Sequence, residues 1–143
     1  MTEQPDPAEA LREMTSQATL HDAMKIEITE AESPQRIVGR MPVEGNTQPF
    51  GLLHGGASCV LAESLGSIGS TLHGLTLGKV AVGVDINATH HRSARSGYVT
   101  GVATPIYLGR STTSYEIVIT DDRDRRICTV RLTCQLIPAP PEQ

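Results

Sequence analysis

In the stretch QPFGLLHGGASCVLAES, His54 is followed by two glycines, Gly55 and Gly56, and a single carboxylate, Glu63, comes eight residues after the first glycine. Glycine is a poor helix former and a lone glutamate is costly to bury, so helix stability does not account for the pattern. Each residue alone has a structural use: His54 as a cap, the glycines as a tight turn, Glu63 as a solvated helix residue. Together they have a chemical one. A helix start leaves backbone N–H groups unpaired and carries partial positive charge, and glycines there let an oxygen come within hydrogen-bond reach, so an oxyanion can be stabilised. A carboxylate can attack the polarised carbonyl or activate water against it. The pair suits acyl transfer or hydrolysis.

The spacing bears on how such a site is assembled. Along a helix the Cα atoms of Gly55 and Glu63 are about 12 Å apart, whereas both groups must lie within about 3 Å of one carbonyl. Two antiparallel copies of the helix across a two-fold axis bring Gly55 of one chain toward Glu63 of the other. Glu63 also shares its side of the helix with Gly56, Cys59, Gly66, Ser67 and Ser70, while Ala57, Val60, Leu61, Ile68 and Leu72 crowd the other flank. Small side chains let another backbone approach closely, so the Glu63 stripe is expected to be covered by a partner, most simply a second copy of the chain.

The elements that hold these groups follow from periodicity. Val60, Leu61, Leu65, Ile68, Leu72 and Leu75 recur near every 3.6 residues, which predicts one long helix from His54 to Leu75. Upstream, Asp6 to Thr19 reads as a short helix behind a floppy end, and 22–30 with 35–42 as a hairpin around Glu32-Ser33-Pro34; the loop VEGNTQPFG follows. After Gly78 the period becomes two, with Val80, Val82, Val84, Ile86 and Ala88 on one face of a strand and Ala81, Gly83, Asp85, Asn87 and Thr89 on the other. Three more strands are expected at 98–108, 113–120 and 126–137, the last with Cys128, Val130, Leu132, Cys134 and Leu136 on one face. The DDRDR segment between the last two reads as a charged hairpin turn serving solubility, and PAPPEQ ends the sheet. Two strands, one long helix and four strands in a meander describe an α+β fold whose antiparallel sheet curls around the helix. The expected organisation is a tail and short helix over 1–19, one domain over 20–138 and a tail over 139–143.

Composition narrows the function. The 143 residues are about one domain's length, with 38% hydrophobic content for a core. A net charge of −4, no Trp, one Phe and three Tyr give neither a phosphate-backbone footprint nor base-stacking platforms, so no nucleic acid partner is expected. No apolar run approaches about 20 residues, and MTEQPDPAEALREM is acidic where a secretory signal is basic and then apolar; a soluble, cytoplasmic protein without membrane contact is expected. Three cysteines without CxxC spacing read as free thiols, with Cys128 and Cys134 buried and neither a disulfide framework nor a zinc site.

The stretch QPFGLLHGGASCVLAES, with VGVDINATHHRSARSG and PIYLGRS beyond it, resembles the hotdog-fold acyl-CoA thioesterases, in the branch of the phenylacetate-type, 4-hydroxybenzoyl-CoA and 1,4-dihydroxy-2-naphthoyl-CoA thioesterases. The likeness covers nearly the whole chain from about residue 20. It implies a sheet curled around a central helix and homodimers that assemble into homotetramers. It implies that Glu63 is the nucleophile or general base, that the Gly55 N–H polarises the thioester carbonyl, that Gln48 and His54 help place the thioester, and that Ser67 assists the acid or its water. CoA contacts carry over to Gly83, to His90, His91, Arg92 and Ser93, and to Tyr107, Leu108, Gly109, Arg110, Ser111 and Thr112. No metal or separate cofactor is implied, since CoA is part of the substrate.

The resemblance favours aromatic acyl groups: dihydroxynaphthoyl-CoA, which belongs to menaquinone biosynthesis, or hydroxybenzoyl and phenylacetyl thioesters. Arg92, Arg95 and Arg110, with Ser93 and Ser111, read as a cluster on either side of one connection, able to hold phosphates or to form a solvated rim. Three alternatives stand beside an acyl-CoA thioesterase: a hydratase or dehydratase pairing His54 with Glu63, a thioesterase acting on an acyl carrier protein, and a non-catalytic acyl-binding protein.

Overall fold

The computed structural model describes residues 6, 9 and 19–141. Of the short helix expected over 6–19, all but Asp6, Glu9 and Thr19 lie outside the described residues. A one-turn helix, α1 (Leu20–Met24), comes first. The Thr19 hydroxyl accepts the His21 N–H at 3.2 Å and the Asp22 carboxylate accepts the Thr19 N–H at 2.9 Å, a capping box that closes the turn. The strand expected from residue 22 therefore begins later, as β1 (Glu27–Ser33), and pairs with β2 (Arg36–Pro42). Ser64 donates to the Val60 carbonyl at 2.8 Å and so accepts from His21 Nε2, also at 2.8 Å, which ties α1 to the long helix α2 (Gly55–Leu75).

Beyond α2 come β3 (Lys79–His90), β4 (Tyr98–Leu108), β5 (Thr112–Thr120) and β6 (Arg126–Pro138). The six strands form one antiparallel sheet in the order β1-β2-β4-β5-β6-β3. Of the four-strand meander expected, only β4, β5 and β6 pair in sequence; β3 does not pair with β4 but joins the far side of β6 and becomes an edge, and β2 takes its place beside β4. Leu61, Leu65, Ile68 and Leu72 of α2 are buried in one core with Ile37, Met41, Val99, Ile117, Ile119 and Leu132 of the sheet. Each such side chain contributes about 1.5–3 kcal/mol on burial, enough to hold a single helix in the curl of the sheet.

Two expectations fail for packing reasons. The β3 ladder with β6 runs from Gly83↔Cys134 to Asp85↔Thr133, leaving Val84 as an extra residue. Such a bulge reverses the inside–outside phase. Ala81 before it and Ile86 and Ala88 after it pack on the core, whereas Val82 and Val84 are 41% and 56% exposed. The small-residue stripe of α2 also divides. Its Gly66 lies under the chain's own sheet, where a Cβ would come 2.6 Å from Leu132 Cδ2, and its Ser70 shares a 2.7 Å hydrogen bond with Thr113. Only Gly56, Cys59, Glu63 and Ser67 of that stripe stay open to solvent, wholly or in part.

Candidate active site

His54 is the N-cap of α2, and its ring Nδ1 accepts the Gly56 N–H at 2.8 Å. Its carbonyl takes the N–H groups of Ala57 and Ser58 at 2.9 and 3.4 Å. These bonds account for every early donor of the helix except one. Among the described residues, the Gly55 N–H has no partner. Because Nδ1 accepts, a neutral His54 ring carries its proton on Nε2, where it is free to donate.

Gly55 opens into a cavity of about 390 Å³ that Gln48, Ser58, His90, Arg92 and Ser93 also line, with Leu52, Leu53 and Ile127 as its apolar wall. The loop before α2 places Gln48: its backbone N–H reaches the Leu52 carbonyl at 2.8 Å and its side-chain oxygen accepts the Phe50 N–H. The Gln48 amide nitrogen is left without a partner among the described residues. His90 faces the glycine so closely that a Cβ on Gly55 would lie 3.0 Å from its Nε2. Beyond it, His91 and Arg92 hang from the Ile127 carbonyl of β6, and His91 Nε2 bonds the Thr129 hydroxyl at 2.9 Å.

Sequence reasoning did not point to Ser58. Its side chain is 2% exposed and lines the cavity, and its hydroxyl has no hydrogen-bond partner among the described residues. The signal was the single polar residue on the buried flank of the first turn, between Ala57 and Leu61.

Glu63 lies outside this cavity. It is exposed on α2, with its carboxylate against β3, where a Cβ on Gly83 would meet Glu63 Oε1 at 2.8 Å. Ser67 follows one turn later, half-buried. Burial, with the Glu63 carboxylate as a smaller contribution, pushes the Cys59 thiol up, so Cys59 is held as a thiol rather than a nucleophilic thiolate. Cys128 and Cys134 are buried free thiols, and burial pushes Cys128 up to about 11.

The arginine cluster is not assembled within one chain. Arg92 and Ser93 follow the end of β3, while Arg110 and Ser111 form the β4–β5 turn beside the start of β3, where Lys79 Nζ donates to the Arg110 carbonyl. The 12 residues of β3 keep the two groups apart. The 107–112 segment is held instead by His73 of α2, whose Nε2 bonds the Gly109 carbonyl at 2.7 Å. Tyr107 is 60% exposed there.

A six-stranded antiparallel sheet curled around one long helix is the hotdog architecture, and the unpaired backbone donor where that helix begins is placed to meet a carbonyl oxygen. Residues 50–128 match the family model described as the thioesterase superfamily. The chain is 47% identical over 120 residues to the proofreading thioesterase EntH of Cronobacter turicensis, covering 83% of this chain and 86% of that one. It is also similar to the solved thioesterase HI1161 of Haemophilus influenzae, with 40% identity, a TM-score of 0.82, and coverage of 93% and 92%. A third relative is SAV0944 of Staphylococcus aureus, at 35% identity, a TM-score of 0.77 and coverage of 85% and 100%. Structures of that protein carry alanine in place of a glutamine and of a glutamate fifteen residues apart. This chain belongs to the thioesterase superfamily.

Proposed function

We propose that the chain hydrolyses an aromatic acyl-CoA thioester to the free acid and CoA, at a site built from two subunits. The observation that carries this is the unpaired Gly55 N–H in a cavity shared with Gln48 and Ser58. The thioester carbonyl oxygen accepts from Gly55, the Gln48 amide, His54 Nε2 and the Ser58 hydroxyl position the thioester group, and the apolar wall takes the acyl ring. Gln48 and Glu63 stand fifteen residues apart, the separation of the glutamine and glutamate replaced in the Staphylococcus aureus thioesterase.

The carboxylate comes from the partner. Gly55 packs at His90 and Glu63 at Gly83, two points on the free edge strand β3. Pairing two β3 edges antiparallel about an axis at Asn87, with Val84 as the extra residue of each strand, sets Gly83 of one chain opposite His90 of the other. The partner's Glu63 then comes beside Gly55. Exposed Val82 and Val84 favour covering this edge, since an open apolar strand invites pairing. Glu63 either attacks the carbonyl carbon, forming an anhydride that water cleaves, or takes a proton from the attacking water; CoA departs as thiolate and is protonated. Ser67 orients the acid or its water. Two such dimers assembling into a tetramer complete the reading.

The test is release of free CoA from a panel of aryl and aliphatic acyl-CoAs. Aryl thioesters are expected to give the higher kcat/KM, and Glu63→Ala to lower it by at least about 10² with the dimer intact. Consumption of an enoyl thioester without CoA release would make the protein a hydratase; binding without turnover, unaltered by Glu63→Gln, would make it an acyl-binding protein. Equal turnover of a carrier-protein thioester would shift the substrate from CoA to the carrier.

A further inference from the structure

On the other side of the Arg92–Ala94 segment lies a second cavity of about 390 Å³, whose walls are Arg92 and Arg95 and, from the β5–β6 turn, Asp121, Asp122, Arg123 and Arg125. It shares Arg92, Ser93 and Ala94 with the cavity at Gly55, so the two adjoin. Four guanidinium groups face two carboxylates here. Asp121 is paired with Arg125 and Asp122 is held by a backbone N–H, and neither makes an ion pair with Arg92, Arg95 or Arg123 among the described residues.

Asp121 Oδ1 accepts the backbone N–H groups of Arg123 and Arg125 at 2.9 and 3.0 Å, and its Oδ2 accepts Arg125 Nε at 2.8 Å. Burial pushes the Asp121 carboxyl up, but these hydrogen bonds outweigh it and hold the group below the usual carboxylate range. Asp122 Oδ2 accepts the Tyr98 N–H at 3.0 Å and sits so near Gly97 that a Cβ there would be 2.0 Å away. The two aspartates thus build the frame: one shapes the DDRDR turn, and the other fastens it to the connection that carries Arg92 and Arg95. Arg125 is spent on Asp121. The guanidinium groups of Arg92, Arg95 and Arg123 make no ion pair or hydrogen bond among the described residues.

We propose that this second cavity binds a phosphorylated nucleoside, with Arg95 and Arg123 joining Arg92 on its phosphate monoester. The DDRDR turn is then a recognition element for the nucleotide end of CoA. Guanidinium forks match phosphate oxygens in pairs, and the volume lies in the range of about 300–1,000 Å³ of small-molecule sites, far above what a bare phosphate fills. The inference rests on the CoA thioester reading above, because it is the substrate's arm that leads from one cavity to the next.

The first test does not depend on turnover. Calorimetric titration with adenosine 3′,5′-bisphosphate is expected to show binding to the wild-type protein, weakened at least about fivefold in Arg123→Ala and in Arg95→Ala, the loss of one charged hydrogen-bond set. Arg123 supplies only its backbone N–H to the turn, so Arg123→Ala leaves the Asp121 hydrogen bonds in place, which circular dichroism checks. The second test compares KM for an acyl-CoA, the same acyl-dephospho-CoA and an N-acetylcysteamine thioester. Arg123→Ala is expected to raise the first about tenfold and the other two much less. Unchanged bisphosphate binding in both variants, or equal KM losses with and without the 3′-phosphate, would overturn the assignment. Bisphosphate binding through Arg123 in a protein that releases CoA from no thioester would leave this site standing and sink the hydrolase reading instead.

Discussion

The carboxylate of Glu63 rests on the backbone of Gly83, so near that the smallest side chain at that position would stand 2.8 Å from Glu63 Oε1. Gly83 has an ordinary backbone conformation, outside the positive-φ glycines, so alanine is tolerated by the chain itself. What must move is the end of the Glu63 side chain. Gly83→Ala is therefore expected to lower kcat at least about tenfold while keeping the fold, because displacing a base by about 1 Å is enough to disarm it. Steady-state kinetics alongside a melting curve checks this. A variant with full kcat would show that Glu63 does not work from its place against Gly83.

If Gly55 of one subunit acts with Glu63 of the other, inactive variants should rescue each other. Gly55→Pro removes the donor itself, and Glu63→Ala removes the acid. Mixed subunits are expected to recover activity in heterodimers, where one of the two sites regains both groups. Circular dichroism and sizing establish that each parent folds. Demonstrated subunit exchange without any recovery would count against a shared site.

Ser58 separates stability from catalysis. Its hydroxyl has no internal partner among the described residues, so Ser58→Ala orphans nothing and the melting temperature should hold or rise. Activity should fall about three- to tenfold through the lost substrate hydrogen bond. A drop in melting temperature with kcat/KM unchanged would make Ser58 a packing residue.

The seat of α2 on the sheet can be tested without reference to catalysis. Gly69 lies against the Tyr115 ring, where a Cβ would be 2.6 Å from the ring and its hydroxyl, and that hydroxyl donates to the Pro34 carbonyl at 2.6 Å. Tyr115 is fully buried and cannot retreat. Gly69→Ala is expected to cost about 1–3 kcal/mol of stability by overpacking, measured by denaturant unfolding. An unchanged midpoint would mean that helix and sheet can part locally at no expense.

The succession from the first hairpin through the long helix to the last four strands, and the open start of α2, are legible in the residues alone. Period 3.6 over 54–75 and period two in the strands are local consequences of backbone geometry, and the His-Gly-Gly start marks the open helix end by residue type. Apart from the start of β1, which the capped turn α1 delays to Glu27, what the residues alone misstate concerns what faces what. The bulge at Val84 reverses the phase of β3 through the pairing with β6, and no pattern in 79–90 alone announces it. Gly66 and Ser70 look the same on a helical wheel as Gly56 and Cys59, yet the curl of the sheet covers the first pair and leaves the second open. DDRDR has the composition of a solubilising turn, and only the partners of Asp121 and Asp122 leave three arginines without counter-ions. Side-chain type sets what a residue can do, whereas its neighbours across the sheet, set by long-range packing, decide which of those capacities is left unused and free for a ligand.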